Sequence, residues 1–293
     1  MSQENILEVK NLVMHFGGIK ALNDVTFDIK RGSVSALIGP NGAGKTTVFN
    51  CLTGFYKATG GSIMLHAGGK STSVVKVLGQ KFSAADFTSP VRLIERIKYK
   101  MFGGSHLVNR AGLARTFQNI RLFKEMSVVE NLLVAQHMLA NRSMVSGILN
   151  TASFKKAEEE ALQRAFYWLE VVHLTEFSNR LAGELSYGQQ RRLEIARAMC
   201  TNPEIICLDE PAAGLNPSET EALASMIRVL RDNHNTTVLL IEHDMGMVMN
   251  ISDYIVVLDH GEVIAKGGPD DIKTNPKVIA AYLGAEEGEE VSL

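Results

Sequence analysis

Cysteine and tryptophan are scarce in this chain, whose 293 residues include three cysteines and one tryptophan. Cys51, Cys200 and Cys207 are far apart, and each lies inside an apolar run. The sequence therefore offers neither a disulfide framework nor the paired cysteines of a metal site. Small core residues in a reducing compartment are the interpretation that this pattern favours.

The chain also lacks a surplus of charge and a long hydrophobic run. Its 30 Lys and Arg against 32 Asp and Glu give a formal net charge of −2, which provides no global attraction to DNA or RNA. We therefore expect no nucleic-acid partner. No apolar run approaches the roughly 18 residues of a membrane span, and residues 1–10 do not resemble a signal peptide. Any membrane role must come through a partner or through surface contact.

Hydrophobic residues make up 45% of the chain, and their periodicity divides it into three parts. Strand spacing occupies the beginning and the last third, whereas helical spacing fills the middle. Predicted strands cover residues 6–12, 25–29, 34–38, 62–65, 205–208 and 238–241, with a hairpin over 254–258 and 262–265. Predicted helices cover residues 46–53, 127–140, 153–172, 186–200 and 217–231.

The order of these elements predicts one α/β domain over residues 1–284. Strands that alternate with helices in the last third indicate a mainly parallel sheet, while the early strands and the final hairpin indicate an antiparallel flank. We expect residues 1–89 and 183–284 to form this core, with a mostly helical region over 90–182.

Two stretches stand apart from this core. A basic amphipathic pattern over 90–101 is compatible with a solvated helix packed on its own domain, or with a helix on an anionic membrane surface. The acidic tail over 285–293 lacks an apolar face, and we expect it to be disordered.

A glycine-rich loop follows the apolar run at 34–38 and has the spacing G-x-x-x-x-G-K-[ST]. In this motif backbone N–H groups converge on a phosphate, the lysine reaches the β- and γ-phosphates, and the threonine hydroxyl can ligate Mg²⁺. A glycine turn before an ordinary helix is the alternative, but the preceding strand and following helix are the context that phosphate binding requires. The loop consists of Gly39, Pro40, Asn41, Gly42, Ala43, Gly44, Lys45, Thr46 and Thr47.

Two carboxylates, Asp209 and Glu210, follow the apolar run at 205–208. A buried strand should not end in two acids unless they have a partner, and in a phosphate-loop protein that partner is Mg²⁺. We predict that Asp209 holds the ion through water and that Glu210 polarises the attacking water as a general base. Because an Asp-Glu pair is common at strand ends, this prediction depends on the phosphate loop.

The helix predicted over 186–200 follows the sequence Leu-Ser-Tyr-Gly-Gln at 185–189. Ser186 is a favourable N-cap residue, and a helix N-terminus with a free hydroxyl and a nearby glycine, Gly188, can bind an anion. The chain then carries two phosphate-binding elements but one lysine-bearing loop. This is explained if Ser186 binds the nucleotide held by the other copy in a head-to-tail pair. An ordinary N-capped amphipathic helix is the alternative.

Together these residues resemble the ATP-binding subunit of ABC (ATP-binding cassette) transporters over nearly the whole chain. Residues 39–47 match the Walker A motif, 205–209 match Walker B, and 185–189 resemble the signature loop usually written LSGGQ. The resemblance implies a P-loop NTPase with a RecA-like core and a helical subdomain, ATPase activity, and binding of ATP and Mg²⁺. It also implies that the signature residues Ser186, Gly188 and Gln189 contact nucleotide.

The resemblance implies roles for three further residues. Gln118, in Arg-Thr-Phe-Gln, matches the Q-loop glutamine, which in the family touches Mg²⁺ and water and links the cassette to the membrane subunit. His243 matches the switch histidine that contacts the γ-phosphate, although a polar residue just past a strand is the alternative. Phe16 stands where the family stacks an aromatic ring on adenine, and a core phenylalanine is equally compatible.

Two positions depart from the family pattern. Tyr187 replaces the first glycine of the signature, and Asn216 stands where the D-loop more often has Asp. Neither change removes the Ser186 hydroxyl or the carboxylate pair. They therefore concern the coupling of half-sites and not ATP binding.

A narrower resemblance concerns the transported solute. The stretches 115–123, 130–136, 211–217 and 275–284 are similar to the branched-chain amino-acid importers, most of all to the larger of their two ATPase subunits. Urea and other amide importers and the lipopolysaccharide-exporting ATPase are similar enough to compete. A soluble ABC ATPase acting on DNA or ribosomes is disfavoured by the single cassette without a basic surplus, and a non-ABC P-loop kinase needs neither the signature nor His243.

The resemblance implies an assembly in which two cassettes close head to tail over two ATP molecules. The second ATPase cassette is a copy of this chain or a paralogue. ABC membrane permease subunits would cross the membrane, an extracytoplasmic solute-binding protein would act indirectly, and this chain would lie peripherally on the cytoplasmic face of the inner membrane. The catalytic residues expected from the resemblance are Lys45, Gln118, Glu210 and His243, and the metal-binding residues are Thr46, Gln118 and Asp209.

Overall fold

The computed structural model describes residues 4–79, 99, 101, 103–136 and 152–289, with side chains through Leu283. The helix predicted over 90–101 therefore lies outside the described residues, apart from Tyr99 and Met101, which are helical. Among the described helices, none combines the length and the apolar composition that a membrane span requires.

The strands in the described part of the chain form two sheets. They are β1 (Asn5–Phe16), β2 (Ile19–Lys30), β3 (Val34–Ile38), β4 (Gly60–Ala67), β5 (Lys70–Ser73), β6 (Leu113–Arg115), β7 (Ile205–Asp209), β8 (Thr237–Ile241), β9 (Tyr254–Asp259) and β10 (Glu262–Gly267). A four-stranded antiparallel sheet has the order β2-β1-β4-β5, and a six-stranded sheet has the order β10-β9-β3-β8-β7-β6. In the second sheet only β10 pairs antiparallel. The predicted mainly parallel sheet with an antiparallel flank is confirmed.

The helices agree with the predicted ones within a few residues wherever both exist. They are α1 (Lys45–Leu52), α2 (Val74–Val77), α3 (Ser105–Arg110), α4 (Val128–Gln136), α5 (Ala152–Val171), α6 (Tyr187–Met199), α7 (Pro217–His234), α8 (Met245–Ile251), α9 (Pro269–Lys273) and α10 (Pro276–Glu289). Residues 137–140, the end of one predicted helix, lie outside the described residues.

Two hydrophobic cores lie on opposite faces of the six-stranded sheet. Ile206 and Leu208 of β7 pack with helices α4 to α8, while Ile205 and Cys207 face α1 and the antiparallel sheet. Every residue of β3, β7 and β8 is buried, which explains their apolar runs without alternation. Because the carboxyl ends of parallel strands meet at one edge, the loops after these three strands lie side by side.

Strand β1 is longer than the sequence predicts because it passes through a bulge. Asn11 has a positive φ of 50°, and the pairing register with β2 shifts between Val9 and Leu12. The irregular backbone is held by Asn11 Nδ2, which donates to Asp24 Oδ1 at 2.6 Å. The bulge interrupts the alternation of apolar and polar residues, so the sequence pattern does not predict the second half of the strand, which ends at Phe16.

The last helix differs from the predicted end of the domain. Helix α10 continues through Glu289, so residues 285–289 are helical in a stretch that the sequence predicts to be disordered. Alanine and glutamate favour a helix, and such residues can extend one that is already packed upstream. Residues 290–293 lie outside the described part.

Candidate functional site

The loop between β3 and α1 curls in front of the helix N-terminus. Gly39 and Gly44 have φ values of 150° and 99°, which residues with a Cβ rarely adopt. A Cβ on Gly39 would lie 2.0 Å from the carbonyl oxygen of Leu258, so only glycine permits this approach to β9. In the rest of the loop, Ala43 and Lys45 are buried, Pro40 and Thr47 are half-buried, and Asn41, Gly42 and Thr46 are exposed.

Lys45 folds back over the loop that precedes it. Its Nζ donates to the carbonyl oxygens of Gly39 at 2.6 Å and Pro40 at 2.9 Å, and the residue is 6% exposed. Burial lowers the pKa of Lys45, and the carboxylate of Glu210 opposes that shift. The ammonium group thus closes the loop and lies within the electrostatic range of Glu210.

Asp209 ends β7 and is 4% exposed. Arg115 Nη2 donates to Asp209 Oδ2 at 2.6 Å. Strand β6 pairs in parallel with β7 and sets Arg115 opposite Cys207, which brings the guanidinium alongside the carboxylate. Arg115 Nη1 also donates to Asn50 Oδ1 at 2.6 Å and Thr53 Oγ1 at 3.1 Å. Arg115 therefore ties both strand ends to the phosphate-loop helix α1.

Glu210 is the point at which three loops meet. Its φ of 45° turns the chain sharply after β7. Gln118 Nε2 donates to Glu210 Oε2 at 2.7 Å, and His243 Nε2 lies 2.8 Å from Glu210 Oε1. The Glu210 side chain is 15% exposed and that of His243 is 46% exposed. Residues 92 and 33 positions away along the chain thus converge on one carboxylate that solvent can reach.

A buried carboxylate, Glu242, precedes His243. Glu242 is 3% exposed. Its Oε1 accepts the N–H of Ala212 at 2.6 Å, and its Oε2 accepts the N–H of His243 at 3.1 Å. Burial raises the pKa of Glu242, and these backbone hydrogen bonds oppose that shift. Glu242 therefore links the segment after Glu210 to the segment that carries His243.

The turn at 185–189 forms the N-terminus of α6. Ser186 is the N-cap: its Oγ accepts the N–H of Gln189 at 3.3 Å, and Gln189 Oε1 accepts the N–H of Ser186 at 2.9 Å. A Cβ on Gly188 would lie 2.6 Å from the Glu219 carboxylate, so α6 begins against the N-terminus of α7. There Asn216 Oδ1 accepts the N–H of Glu219 at 2.9 Å. Asn216 thus performs the capping that Asp would perform.

Phe16 ends β1 and retains 42% exposure. Its ring meets Tyr56 edge-on, with 5.3 Å between centroids, and Tyr56 follows α1 with 38% exposure. This exposure argues against a core role. An open aromatic pair near the end of the phosphate-loop helix is a surface on which a base can stack.

Comparison with known proteins decides the family. A family model described as "ABC transporter" matches residues 22–213, well over half of the 293 residues. The chain belongs to the ABC transporter family. A second model, "Branched-chain amino acid ATP-binding cassette transporter", matches residues 262–288. The resemblance inferred from the sequence is confirmed, and as an ABC ATPase the chain is an enzyme that hydrolyses ATP.

Full-length relatives agree with this assignment. The chain is 52% identical over 279 residues to the high-affinity branched-chain amino acid transport ATP-binding protein BraF of Pseudomonas aeruginosa, covering 95% of this chain and 98% of BraF. It is 51% identical over 284 residues to LivG of Escherichia coli, which carries the same description, covering 97% and 99%. A crystal structure of an ABC transporter cassette in its ADP conformation superposes with a TM-score of 0.73 at 33% identity, covering 96% and 99%. The ABC ATPase fold is therefore confirmed.

The residues predicted to hold Mg²⁺ in this ABC cassette offer oxygen donors of three kinds. Thr46 is exposed and carries a hydroxyl, and Asp209 carries a carboxylate. Gln118 adds an amide oxygen, which is not the atom that bonds Glu210 because that bond is made by Nε2. Within the described residues no group of three or more His, Cys, Asp and Glu could hold a metal. The hydroxyl and the amide oxygen would complete the set with the carboxylate. Such an all-oxygen set fits Mg²⁺.

Arg115, Glu242 and Arg191 of this ABC cassette have no role in the predictions from the sequence. Arg191 is 0% exposed on α6, and Glu194, one turn later, is 1% exposed. A charged pair three residues apart on the apolar side of an amphipathic helix is a signal that could have revealed this contact. By contrast, Arg115 bonds Asp209 across 94 positions, and Glu242 bonds the N–H of Ala212 across 30.

Proposed function

We propose that this chain is the ATP-hydrolysing subunit that energises import of branched-chain amino acids, with Glu210 as the general base. The observation that carries the mechanism is the carboxylate of Glu210, which Gln118 and His243 bond at 2.7 Å and 2.8 Å. Two fixed oxygens, beside a phosphate loop and open to solvent, suit a base that orients and polarises an attacking water.

The phosphate loop binds the β- and γ-phosphates of ATP. Its backbone N–H groups and the N-terminus of α1 receive the phosphate oxygens, Lys45 moves from the loop carbonyls to the phosphates, and Phe16 stacks on adenine. Thr46, Gln118 and Asp209 would hold Mg²⁺, which when bound neutralises charge that develops on the phosphate oxygens. Arg115 orients the Asp209 carboxylate, and His243 contacts the γ-phosphate.

The signature turn binds the nucleotide of a second cassette. Ser186 and Gln189 occupy the N-terminus of a helix of 13 residues, where free N–H groups and the helix dipole attract an anion. In the part of the chain that the structure describes, the Ser186 hydroxyl accepts a capping bond of 3.3 Å, which a phosphate oxygen can replace. The second cassette is another copy of this chain or a paralogue.

The solute and the other partners follow from the relatives. BraF and LivG are named for high-affinity branched-chain amino acid transport, and each matches at least 95% of this chain. We propose that ABC permease subunits carry the chain peripherally on the cytoplasmic face of the inner membrane and that an extracytoplasmic solute-binding protein acts with them. The region over 90–182, whose described helices include α3, α4 and α5, transmits the cassette motion to the permease.

An uptake assay tests this function. Cells that lack the gene for this chain receive the wild type, Glu210→Gln, or the control Glu176→Gln, which changes an exposed carboxylate in another part of the chain. We expect the wild type and Glu176→Gln to restore uptake of labelled leucine, isoleucine and valine, and Glu210→Gln to give none. If the wild type restores uptake of urea or another amide and not of these amino acids, the proposed solute is wrong. Normal uptake with Glu210→Gln would contradict the assignment of Glu210 as the general base.

Affinity purification identifies the partners. The tagged Glu210→Gln chain is isolated from its native membrane with ATP, and co-purifying proteins are identified by mass spectrometry. We expect permease subunits and a second cassette. Recovery of lipopolysaccharide-export components would overturn import, and recovery of only ribosomal or DNA-associated proteins would overturn the transporter assembly.

A further inference from the structure

A buried arginine joins the signature helix to the Q-loop. Arg191 on α6 is 0% exposed. Its Nη1 donates to the carbonyl oxygen of Phe117, and its Nη2 donates to that of Gln118, both at 2.7 Å. Charge-assisted hydrogen bonds to two successive carbonyls fix the backbone from which the Gln118 side chain reaches Glu210.

Glu194 makes this connection rigid. Its Oε2 accepts from Arg191 Nη1 at 3.0 Å, and its Oε1 accepts the N–H of Arg121 at 3.3 Å. Burial raises the pKa of Glu194, and the guanidinium of Arg191 opposes that shift. The buried pair of Arg191 and Glu194 therefore holds the backbone around Gln118 against α6, at residues 117, 118 and 121.

Tyr187 is the solvent-facing end of the same network. It is 44% exposed at the position where the family pattern has glycine. Its Oη accepts from Arg191 Nη2 at 3.3 Å, and the guanidinium lies 5.9 Å from its ring centroid. A Cβ built on Gly214 would lie 3.3 Å from the Tyr187 ring, so the ring also packs against the loop that follows Glu210.

We propose that Tyr187 and Arg191 are positioning residues that transmit engagement of the signature turn by the second cassette to Gln118 and, through it, to Glu210. The inference rests on the proposed function, because it needs the head-to-tail pair and Glu210 as the base. Each step is a hydrogen bond: Tyr187 to Arg191, Arg191 to the Gln118 backbone, and Gln118 Nε2 to Glu210.

The physical basis is the shared guanidinium. Nη2 of Arg191 bonds both the Tyr187 hydroxyl and the Gln118 carbonyl, so a movement of the tyrosine alters the geometry at the carbonyl. Tyr187 adjoins Ser186, which we propose binds the nucleotide of the second cassette. A glycine at position 187 has no side chain with which to make this link, so the coupling belongs to chains with tyrosine there.

Steady-state ATP hydrolysis by the complete transporter tests the pair. Tyr187→Phe removes the hydroxyl and keeps the ring. Tyr167→Phe is the matched control, since Tyr167 is 49% exposed and its Oη lies 3.4 Å from His234 Nδ1, in a different contact. We expect Tyr187→Phe to lower kcat by roughly 3- to 10-fold, to lower the Hill coefficient for ATP, and to leave KM nearly unchanged. An unchanged kcat and Hill coefficient would overturn the proposal.

A double-mutant cycle separates transmission through Gln118 from a local effect. In the Gln118→Ala background, residual hydrolysis is followed in single turnovers of labelled ATP. We expect Tyr187→Phe to have no further effect there, whereas effects that multiply would show independent action and contradict the proposal. Glu210→Gln is assayed in parallel. If Glu210→Gln hydrolyses ATP at the wild-type rate, the proposed function is refuted. If Glu210→Gln is inactive but Tyr187→Phe hydrolyses ATP at the wild-type rate, only the positioning role of Tyr187 and Arg191 is refuted.

Discussion

Arg115 and Asp209 form a salt bridge of 2.6 Å at the ends of two adjacent strands, with side-chain exposures of 7% and 6%. The guanidinium also lies against the rings of Phe55 and Phe117, at 5.3 Å and 5.1 Å from their centroids. A carboxylate that is nearly buried at a strand end needs such a partner. Arg115 therefore holds in place Asp209, the carboxylate that we propose binds Mg²⁺.

Replacing Arg115 with alanine should destabilise the fold, because it leaves the Asp209 carboxylate buried without its cation. We expect the free energy of unfolding to fall by about 3–5 kcal/mol, measured by urea denaturation without nucleotide. Arg231→Ala is the control, since its partners Asp232 and Asp253 are 54% and 47% exposed and these ion pairs should contribute about 1 kcal/mol or less. Equal losses in the two variants would contradict the role given to Arg115.

Glu210→Gln should separate hydrolysis from binding. An amide cannot accept the proton of water, so we expect kcat to fall by about 10²- to 10⁴-fold. ATP affinity should persist because the phosphate loop and Lys45 are unchanged, and the ATP-loaded variant should accumulate as a dimer. Light scattering of the purified chain after size exclusion, with and without ATP, measures the dimer. A monomer that binds ATP normally would contradict pairing of the chain with its own copy and would leave a paralogue as the second cassette.

Gly39→Ala should damage the phosphate loop through a backbone collision. The new Cβ would lie 2.0 Å from the Leu258 carbonyl oxygen, at a φ of 150°. We expect a loss of about 1–3 kcal/mol in the free energy of unfolding, together with weaker binding of a fluorescent ATP analogue. Gly18→Ala is the control, because its Cβ would meet nothing within 4 Å. The control should differ from wild type by less than about 0.5 kcal/mol in stability.

Glu242 should make stability depend on pH. Burial raises the pKa of Glu242 in the folded chain above its ordinary value of 4.5, so the folded state binds the proton more tightly than the unfolded state. Its contribution is therefore present at low pH and is lost as pH rises from about 4.5 through the raised folded pKa. Relative to wild type, Glu242→Gln should gain stability with rising pH in that window.

Urea denaturation at a series of pH values from 4.5 to neutrality measures this difference. Glu130→Gln is the contrasting variant. Hydrogen bonds from Ser127 lower the pKa of Glu130 from 4.5, so its contribution is lost only as pH falls below that value. The difference between Glu130→Gln and wild type should therefore stay nearly constant across this series. A constant difference between Glu242→Gln and wild type across the series would contradict the assignment to Glu242.

Features that depend on neighbouring positions were predictable from the sequence. The phosphate loop, the strand before it and the helix after it follow from glycine spacing and hydrophobic run length, and the structure has them at Val34–Ile38 and Lys45–Leu52. Strand β6 escaped prediction because Leu113–Arg115 is too short to show periodicity. Its position is fixed by pairing with β7, about 90 residues later.

The sequence by itself determined the α/β fold, the phosphate loop and the identity of the residues that resemble the ABC family. Only the tertiary structure decided which of them touch. Gln118 meets Glu210 across 92 positions, Arg115 meets Asp209 across 94, and Arg191 meets Gln118 across 73. The physical reason is that local backbone preference and hydrophobic period act over a few residues, whereas these contacts arise when parallel strands bring distant loops to one edge of the sheet.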